Sequence, residues 1–271
     1  MKNKQSKIDS KKRSPLKNKP LRYAGKSIDE QIDKLINDNA VLYLVISLLS
    51  IAIAGFEWIR FYINNPPSPK MMTFLAFVVI LFSYYKIKKI SREVKRLKLG
   101  REGERVVGEH LDMLREKGYK IFHDIVGENF NIDHVIISTK GIFVIETKTF
   151  SKPNDKDARI HFNGREITVD RQKLSNNYID QATASSKWLR NLLKESTGKE
   201  FPIKPGIVFP GWFIETTEEG KKSSCWVLNP RALPQYIENE KTSITMEDAS
   251  LASYHLSRYI RAIEEEKSKT P

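Results

Sequence analysis

The chain has 271 residues, one cysteine and a formal net charge of +13, with 40% of its residues hydrophobic. The lone cysteine, Cys225, excludes an intramolecular disulfide framework and has no cysteine partner for a zinc cluster. That favours a reducing compartment for the folded part, and the length allows one sizeable domain with an accessory region, or two small domains.

The charge is unevenly spread. Residues 1–99 hold 20 Lys/Arg against 7 Asp/Glu, whereas residues 100–271 hold 26 of each. The basic excess belongs to the N-terminal part and speaks of membranes before nucleic acid. Residues 1–39, rich in Lys, Ser and Asn, are expected to be a basic, mostly disordered cytoplasmic tail. Residues 40–56 are almost unbrokenly apolar and continue through Trp58, Phe61 and Tyr62, which suit the membrane interface. Glu57 and Arg60, three apart on that helix, can pair or snorkel. A proline-rich turn at 64–69 breaks the helix, and a second apolar segment, 71–85, follows. Residues 40–90 therefore read as two transmembrane helices, a hairpin. Basic flanks at both outer ends place the N-terminus and the C-terminal domain in the cytoplasm, a multi-pass arrangement in the cell membrane. Ala52-Ile53-Ala54 resembles a signal-peptide cleavage site, but about 39 residues before the apolar segment are too many for that class.

The second span should run on as a helix through 86–117, with no proline and no glycine before Gly100. Its apolar stripe reads Leu97, Gly100, Glu104, Val107, Gly108, Leu111, Leu114. Glu104 on that stripe is a carboxylate among Val and Leu; a lysine partner or a place at the stripe's edge would be the plain explanation. Strands are expected at 119–124, 132–138 and 142–147, then a hairpin at 159–162 and 166–169 turning on Asn163-Gly164. A helix at 177–193, strands at 203–209 and near 225–228, and helices near 231–238 and 246–266 complete an α/β order, a sheet covered by helices. Gln181 is a polar group on the inward face of the 177–193 helix, where an ordinary edge amide is the competing reading.

The chemistry concentrates between Asn131 and Lys148. Asp133 opens one apolar strand, and the next carries Glu146 and Lys148, which point to one face about 7 Å apart at Cα. Two carboxylates can hold a divalent cation through hard oxygens, and an ammonium beside them can position or activate water. A solvated strand end is the plain alternative, but charges in apolar β-branched strands are costly unless paired or metal-bound. His134 alternates to the face opposite Asp133 and reads as a packed histidine, and His123 has no partner at metal-ligand spacing. There is no Walker A loop, no GxGxxG fingerprint and no CxxC pair, which disfavours nucleotide-driven motors, Rossmann enzymes and structural zinc.

Four segments together carry a family resemblance: Gly100-Arg101-Glu102-Gly103-Glu104, Asn131-Ile132-Asp133-His134, Gly141 to Lys148, and Asp180-Gln181-Ala182. Over about residues 97–213 the chain resembles the NERD (nuclease-related) domain, of the PD-(D/E)xK nuclease superfamily. The resemblance implies a restriction-endonuclease-like mixed sheet flanked by helices, preceded here by the transmembrane hairpin. It implies Asp133 and Glu146 as metal ligands, with Glu104 as a third, the acidic residue of the first helix. Lys148 would be the catalytic lysine and Gln181 the glutamine seen in several branches, with Mg²⁺ or Mn²⁺ as cofactor. Ile132 stands where the superfamily usually has proline, which removes no ligand.

The expected organisation is a tail (1–39), two spans (40–90), a nuclease-like domain (91–214) and a C-terminal strand and helical extension packing on it (215–271). The expected activity is divalent-metal-dependent hydrolysis of nucleic-acid phosphodiesters at the cytoplasmic membrane face, with DNA ahead of RNA. Membrane lipids, anionic headgroups included, are the other expected partner. Lys152, Arg159, Arg165, Arg171 and Lys173, with Lys156, are the candidate nucleic-acid contacts, although interspersed acids also suit a mixed solvated hairpin. The rival is a membrane-tethered scaffold that binds nucleic acid or protein and keeps the nuclease fold without turnover.

Overall fold

The computed structural model describes residues 21–63, 68–152, 159–169, 172–174 and 177–269. Its longest element, α3 (Pro69–Asp112), is one unbroken helix of 44 residues. Pro69 begins it, where a missing N–H costs nothing, and no proline follows. Its first half is apolar and open (Phe74 is 69% exposed), while its second half buries Gly103, Glu104, Val107, Gly108 and Leu111. The second apolar segment thus does pass directly into the first helix of the domain. A 3₁₀ turn, Met113–Lys117, ends it at Gly118, whose φ of 86° is the left-handed geometry that glycine tolerates.

Helix α2 (Val41–Tyr62) folds back along α3. Trp58 Nε1 donates to Thr73 Oγ1 at 2.9 Å, Tyr43 meets Phe82 edge-on, and Glu57 pairs with Arg60 at 2.8 Å as expected. Both helices are long and apolar enough to cross a bilayer. Most of the tip, residues 64–67, lies outside the described residues, as do residues 1–20 of the tail.

The remainder of that tail departs from expectation. Helix α1 (Lys26–Lys34) and a π-helical stretch, Leu35–Ala40, lead straight into α2, so most of residues 21–39 is helical. Composition concealed this because the anchor is ionic. Arg22, 4% exposed, donates through Nε to Asp124 Oδ2 at 2.8 Å and through Nη2 to Ser27 Oγ at 2.8 Å, and pairs with Glu30 and Glu264. Asp124 also accepts from the Ser27 N–H at 2.8 Å, placing negative charge at the N-terminus of α1. Burial alone would depress the Arg22 pKa, but Asp124, Glu30 and Glu264 outweigh it and raise it. A second tie comes from Asp29 of α1, which pairs with Arg101 and Arg105 of α3.

In chain order the strands are β1 (Lys120–Val126), β2 (Asn131–Ser138), β3 (Gly141–Thr147), β4 (Arg159–Phe162), β5 (Ile167–Val169), β6 (Gln172–Lys173), β7 (Ile203–Val208), β8 (Phe213–Thr216) and β9 (Trp226–Leu228). Five make a mixed sheet in the order β1-β2-β3-β7-β9, antiparallel from β1 to β3 and parallel from β3 to β9. Helix α4 (Asn177–Thr197) and the C-terminal helix, Met246–Lys269, cover one face, where Val135, Ile137 and Val144 meet Leu189, Leu193 and Leu256. Two further helices cover the other face: α3, and a short one at Leu233–Asn239. There Val107, Leu111 and Leu233 pack against Ile136, Phe143 and Ile145. The expected α/β arrangement, a mixed sheet between helices, is what the chain forms. Residues 215–271 are continuous with it, since β9 is a strand of the main sheet.

A second sheet, β6-β5-β4-β8, extends beyond the expected hairpin. Its strand β8 pairs in parallel with β4 and escaped the sequence reading because it is short and only half-buried. A single helical turn, Glu218–Lys221, follows it.

Arg22→Ala should cost about 3–5 kcal/mol, because it leaves Asp124 buried without its counter-charge. Thermal unfolding of the detergent-solubilised chain measures this; an unchanged melting temperature would mean that residues 21–34 are not anchored as described.

Candidate active site

The antiparallel register of β2 and β3 pairs His134 with Ile145, so the next step along the ladder sets Asp133 opposite Glu146, with Thr147 just beyond. The Thr147 N–H donates to Asp133 Oδ2 at 2.6 Å, a bond that fixes the carboxylate to the end of β3. Glu146 is 3% exposed. Its Oε1 accepts from Lys148 Nζ at 2.8 Å and from Gln181 Nε2 at 2.5 Å, and Lys148 Nζ donates to Gln181 Oε1 at 2.9 Å. The ammonium also lies 5.1 Å from the centre of the Tyr178 ring, close to Gln181 at the start of α4. Asp133, Glu146, Lys148 and Gln181 therefore meet at one place, although Gln181 is exposed overall rather than buried on the inward stripe.

Glu104 reaches this network through space. It is 9% exposed on α3 and accepts a backbone N–H from Gly25. Gly103, one residue before it, is a structural requirement. A Cβ there would lie 1.7 Å from Thr149 Oγ1 and 2.9 Å from Thr149 Cβ, so only glycine lets the exit of β3 pass this close to α3. That close approach brings Glu104 into the field of Asp133 and Glu146.

Burial and mutual repulsion act together on the three acids. Glu104 is pushed up to about 8 by desolvation and by the charges of Asp124 and Glu146, against the Gly25 N–H and Lys148. Asp133 keeps some access to the cleft, yet burial, Glu146 and Glu104 raise it well above the usual carboxylate range. Burial also raises Glu146, with Lys148 opposing. Such shifts in a cleft are typical of functional sites and of sites built for a cation.

Among the described residues, no group of three or more His, Cys, Asp or Glu side chains is gathered to hold a metal ion. The expected trio does not close into a cage, because Glu104 couples electrostatically without joining a ligand cluster. A hard divalent ion still fits the remainder. Mg²⁺ uses one or two carboxylates and completes its shell with water and substrate oxygens. Glu146 Oε2 is buried without a hydrogen-bond partner, an acceptor left open beside Asp133.

The opposite face holds what the sequence reading missed. His134 and His123 are both buried, and their Nδ1 atoms lie 2.8 Å apart. His134 Nε2 lies 3.2 Å from Thr147 Oγ1, and Arg115 Nη2 lies 3.4 Å from His123 Nε2. One N–H bridges the two Nδ1 atoms, and His123 Nε2 lies between Arg115 and the Asp112 carboxylate, whose Oδ1 is 3.7 Å away. Burial, and for His134 the neighbouring ring, lowers both pKa values, so the pair stays neutral. The register pairing His123 with His134 across β1 and β2 is its origin, and no spacing in the sequence announced it. Of the basic candidates, Lys152 lies over Trp212 beside the site, Arg159 pairs with Glu215, and Arg165 sits exposed at the β4–β5 turn. Arg171 and Lys156 lie outside the described residues, and only the backbone of Lys173 is described.

A mixed sheet between helices, with paired acids and a lysine at adjoining strand ends, is a nuclease-like architecture. Residues 99–210 match the NERD family, described as a nuclease-related domain, and the chain carries that domain. An uncharacterized protein of Bacillus anthracis is 36% identical over 56 residues, 19% of this chain. The match spans about a quarter (26%) of that relative's length. No solved structure matches the chain.

Two measurements probe the geometry. Gly103→Ala should destabilise by about 1–3 kcal/mol, the cost of overpacking; an unaffected melting temperature would contradict the contact with Thr149. The acids also set a pH dependence. A carboxyl whose folded pKa is raised opposes folding once pH exceeds its unfolded value, 3.8 for Asp133, and the penalty grows until the folded value is passed. Asp133→Asn should therefore raise the melting temperature in EDTA at pH 8, with a gain that shrinks toward pH 4. A gain independent of pH would refute the desolvated-carboxylate account.

Proposed function

We propose that the chain is a divalent-metal-dependent nuclease, tethered by its helical hairpin to the inner face of the cell membrane. The observation that carries this is the meeting of Asp133, Glu146, Lys148 and Gln181 at the ends of β2, β3 and α4, with one buried oxygen of Glu146 unpartnered. The NERD match supports association with nucleic acid in general; the preference for DNA and the hydrolytic step are part of the proposal.

Asp133 and Glu146 would hold Mg²⁺ or Mn²⁺, whose contribution when bound is to polarise the phosphate and lower the pKa of water. The chain's own groups do the rest. The Thr147 N–H aims Asp133, and Gln181 with Lys148 fixes Glu146 Oε1, so neither acid must reorganise when substrate arrives. Lys148 Nζ, bonded to both Glu146 and Gln181, presents its positive charge at the rim where a phosphoryl oxygen gains negative charge. Glu104, held mainly protonated at neutral pH by burial and its acidic neighbours, would be drawn toward its charged form by a cation bound between the strands.

The binding-only reading retains one supporting observation: no three-ligand cluster is present among the described residues. The two separate in one experiment on the full chain in detergent. Mg²⁺ or Mn²⁺ should raise the wild-type melting temperature and support cleavage of DNA that EDTA abolishes. Asp133→Ala and Glu146→Ala should lose both effects, and Lys148→Ala should lose on the order of 10²–10³ in rate. Equal behaviour of wild type and Asp133→Ala, with nucleic acid bound but uncut, would establish the scaffold instead.

The tether rests on the two apolar helices and the basic flanks. In a Cys225→Ser background with single cysteines, Ser68→Cys should react with an impermeant reagent on intact cells and Ser223→Cys should not. Labelling at 223 would reverse the orientation.

A further inference from the structure

A groove of about 640 Å³ lies along α3, and none of Asp133, Glu146, Lys148 and Gln181 lines it. Gly103 and Thr149, each next in the chain to a candidate-site residue, line it together with Lys152, Trp212, Phe213 and Arg231. Its volume suits a nucleotide-sized ligand. Phe213 is its most conspicuous wall. Trp212, just before β8, turns inward at 2% exposed, and alternation leaves the Phe213 ring 60% exposed. The Arg159 guanidinium lies 5.0 Å from the centre of that ring, paired to it by the β4–β8 register. A second cavity of about 300 Å³ adjoins it, where Phe213 and Arg231 recur beside the exposed Tyr236. A carboxylate, Glu102, faces the cations along the main groove.

An exposed aromatic ring flanked by Lys and Arg is how single strands are gripped, the base stacking on the ring and the backbone neutralised by cations. A duplex offers no free base face to such a ring. We infer that the groove binds an unpaired nucleotide of a DNA strand entering the site, its base on Phe213 and its backbone against Lys152 and Arg231. The inference rests on the nuclease reading and specifies its substrate: single-stranded DNA or a frayed or overhanging end. Phe213 and Arg231 lie beyond residues 99–210, so this selectivity belongs to the region outside the family match.

The test is fluorescence anisotropy of the full chain in detergent, in the Asp133→Ala background with EDTA, using a labelled single strand of about 20 nucleotides, longer than a typical site size, and the blunt duplex of the same sequence. The single strand should bind more tightly. Phe213→Ala should weaken it roughly 5- to 150-fold while Phe213→Tyr retains it, and duplex affinity should not change. Equal single-strand affinity for wild type and Phe213→Ala, or equal losses on both probes, would overturn the inference. Because binding is read without turnover, a Phe213-dependent preference in a chain that cleaves nothing would sink the nuclease reading and keep the platform. Cleavage indifferent to Phe213 would do the reverse.

Discussion

Everything around the site depends on one unfavourable arrangement: three carboxyl groups held out of water within one another's fields. Asp133 and Glu146 are built into strands whose other residues are almost all buried, and Glu104 into the packed face of α3. Left to themselves these groups would spread apart or stay protonated. The Thr147 N–H, Lys148 and Gln181 counter part of the repulsion but do not remove it, as the raised acids show. The sheet and its two helical layers supply the stiffness that keeps them together, and their burial of large apolar side chains offsets the cost.

The arrangement explains two sequence features that otherwise look arbitrary. Gly103 is dictated by the side chain of Thr149, not by conformational freedom on α3. The histidines of β1 and β2 are neutral spacers that tie the back of Thr147 to Arg115, so the residue whose N–H aims Asp133 is fixed from both faces.

Much of this was legible in the sequence because it rests on local periodicity. The alternation around Asp133 and Glu146, the inward place of Glu104 and the run of α3 out of the second apolar segment follow from periods of about 2.0 and 3.6. What was hidden depends on partners far away in the chain. Residues 21–34 looked like a solvated tail because their anchor is Arg22, which counts as surface composition until Asp124 and Glu264 are placed around it. Strand β8 has too little apolar pattern to stand out without β4 beside it. The histidine pair needed the β1–β2 register, which no single strand encodes.

Two helices, not one, connect the apolar hairpin to the folded domain. Helix α3 enters it without a break, and α1 leaves it clamped by Arg22 and braced by Asp29 against Arg101 and Arg105. A single flexible stalk would let the domain swivel and sample every heading. Two stiff struts, locked side by side, deny it that freedom and give the cleft a set bearing relative to the plane in which the hairpin lies. Encounters then become a matter of approach angle as well as collision frequency: whatever the cleft admits must arrive along the one heading that the two struts allow.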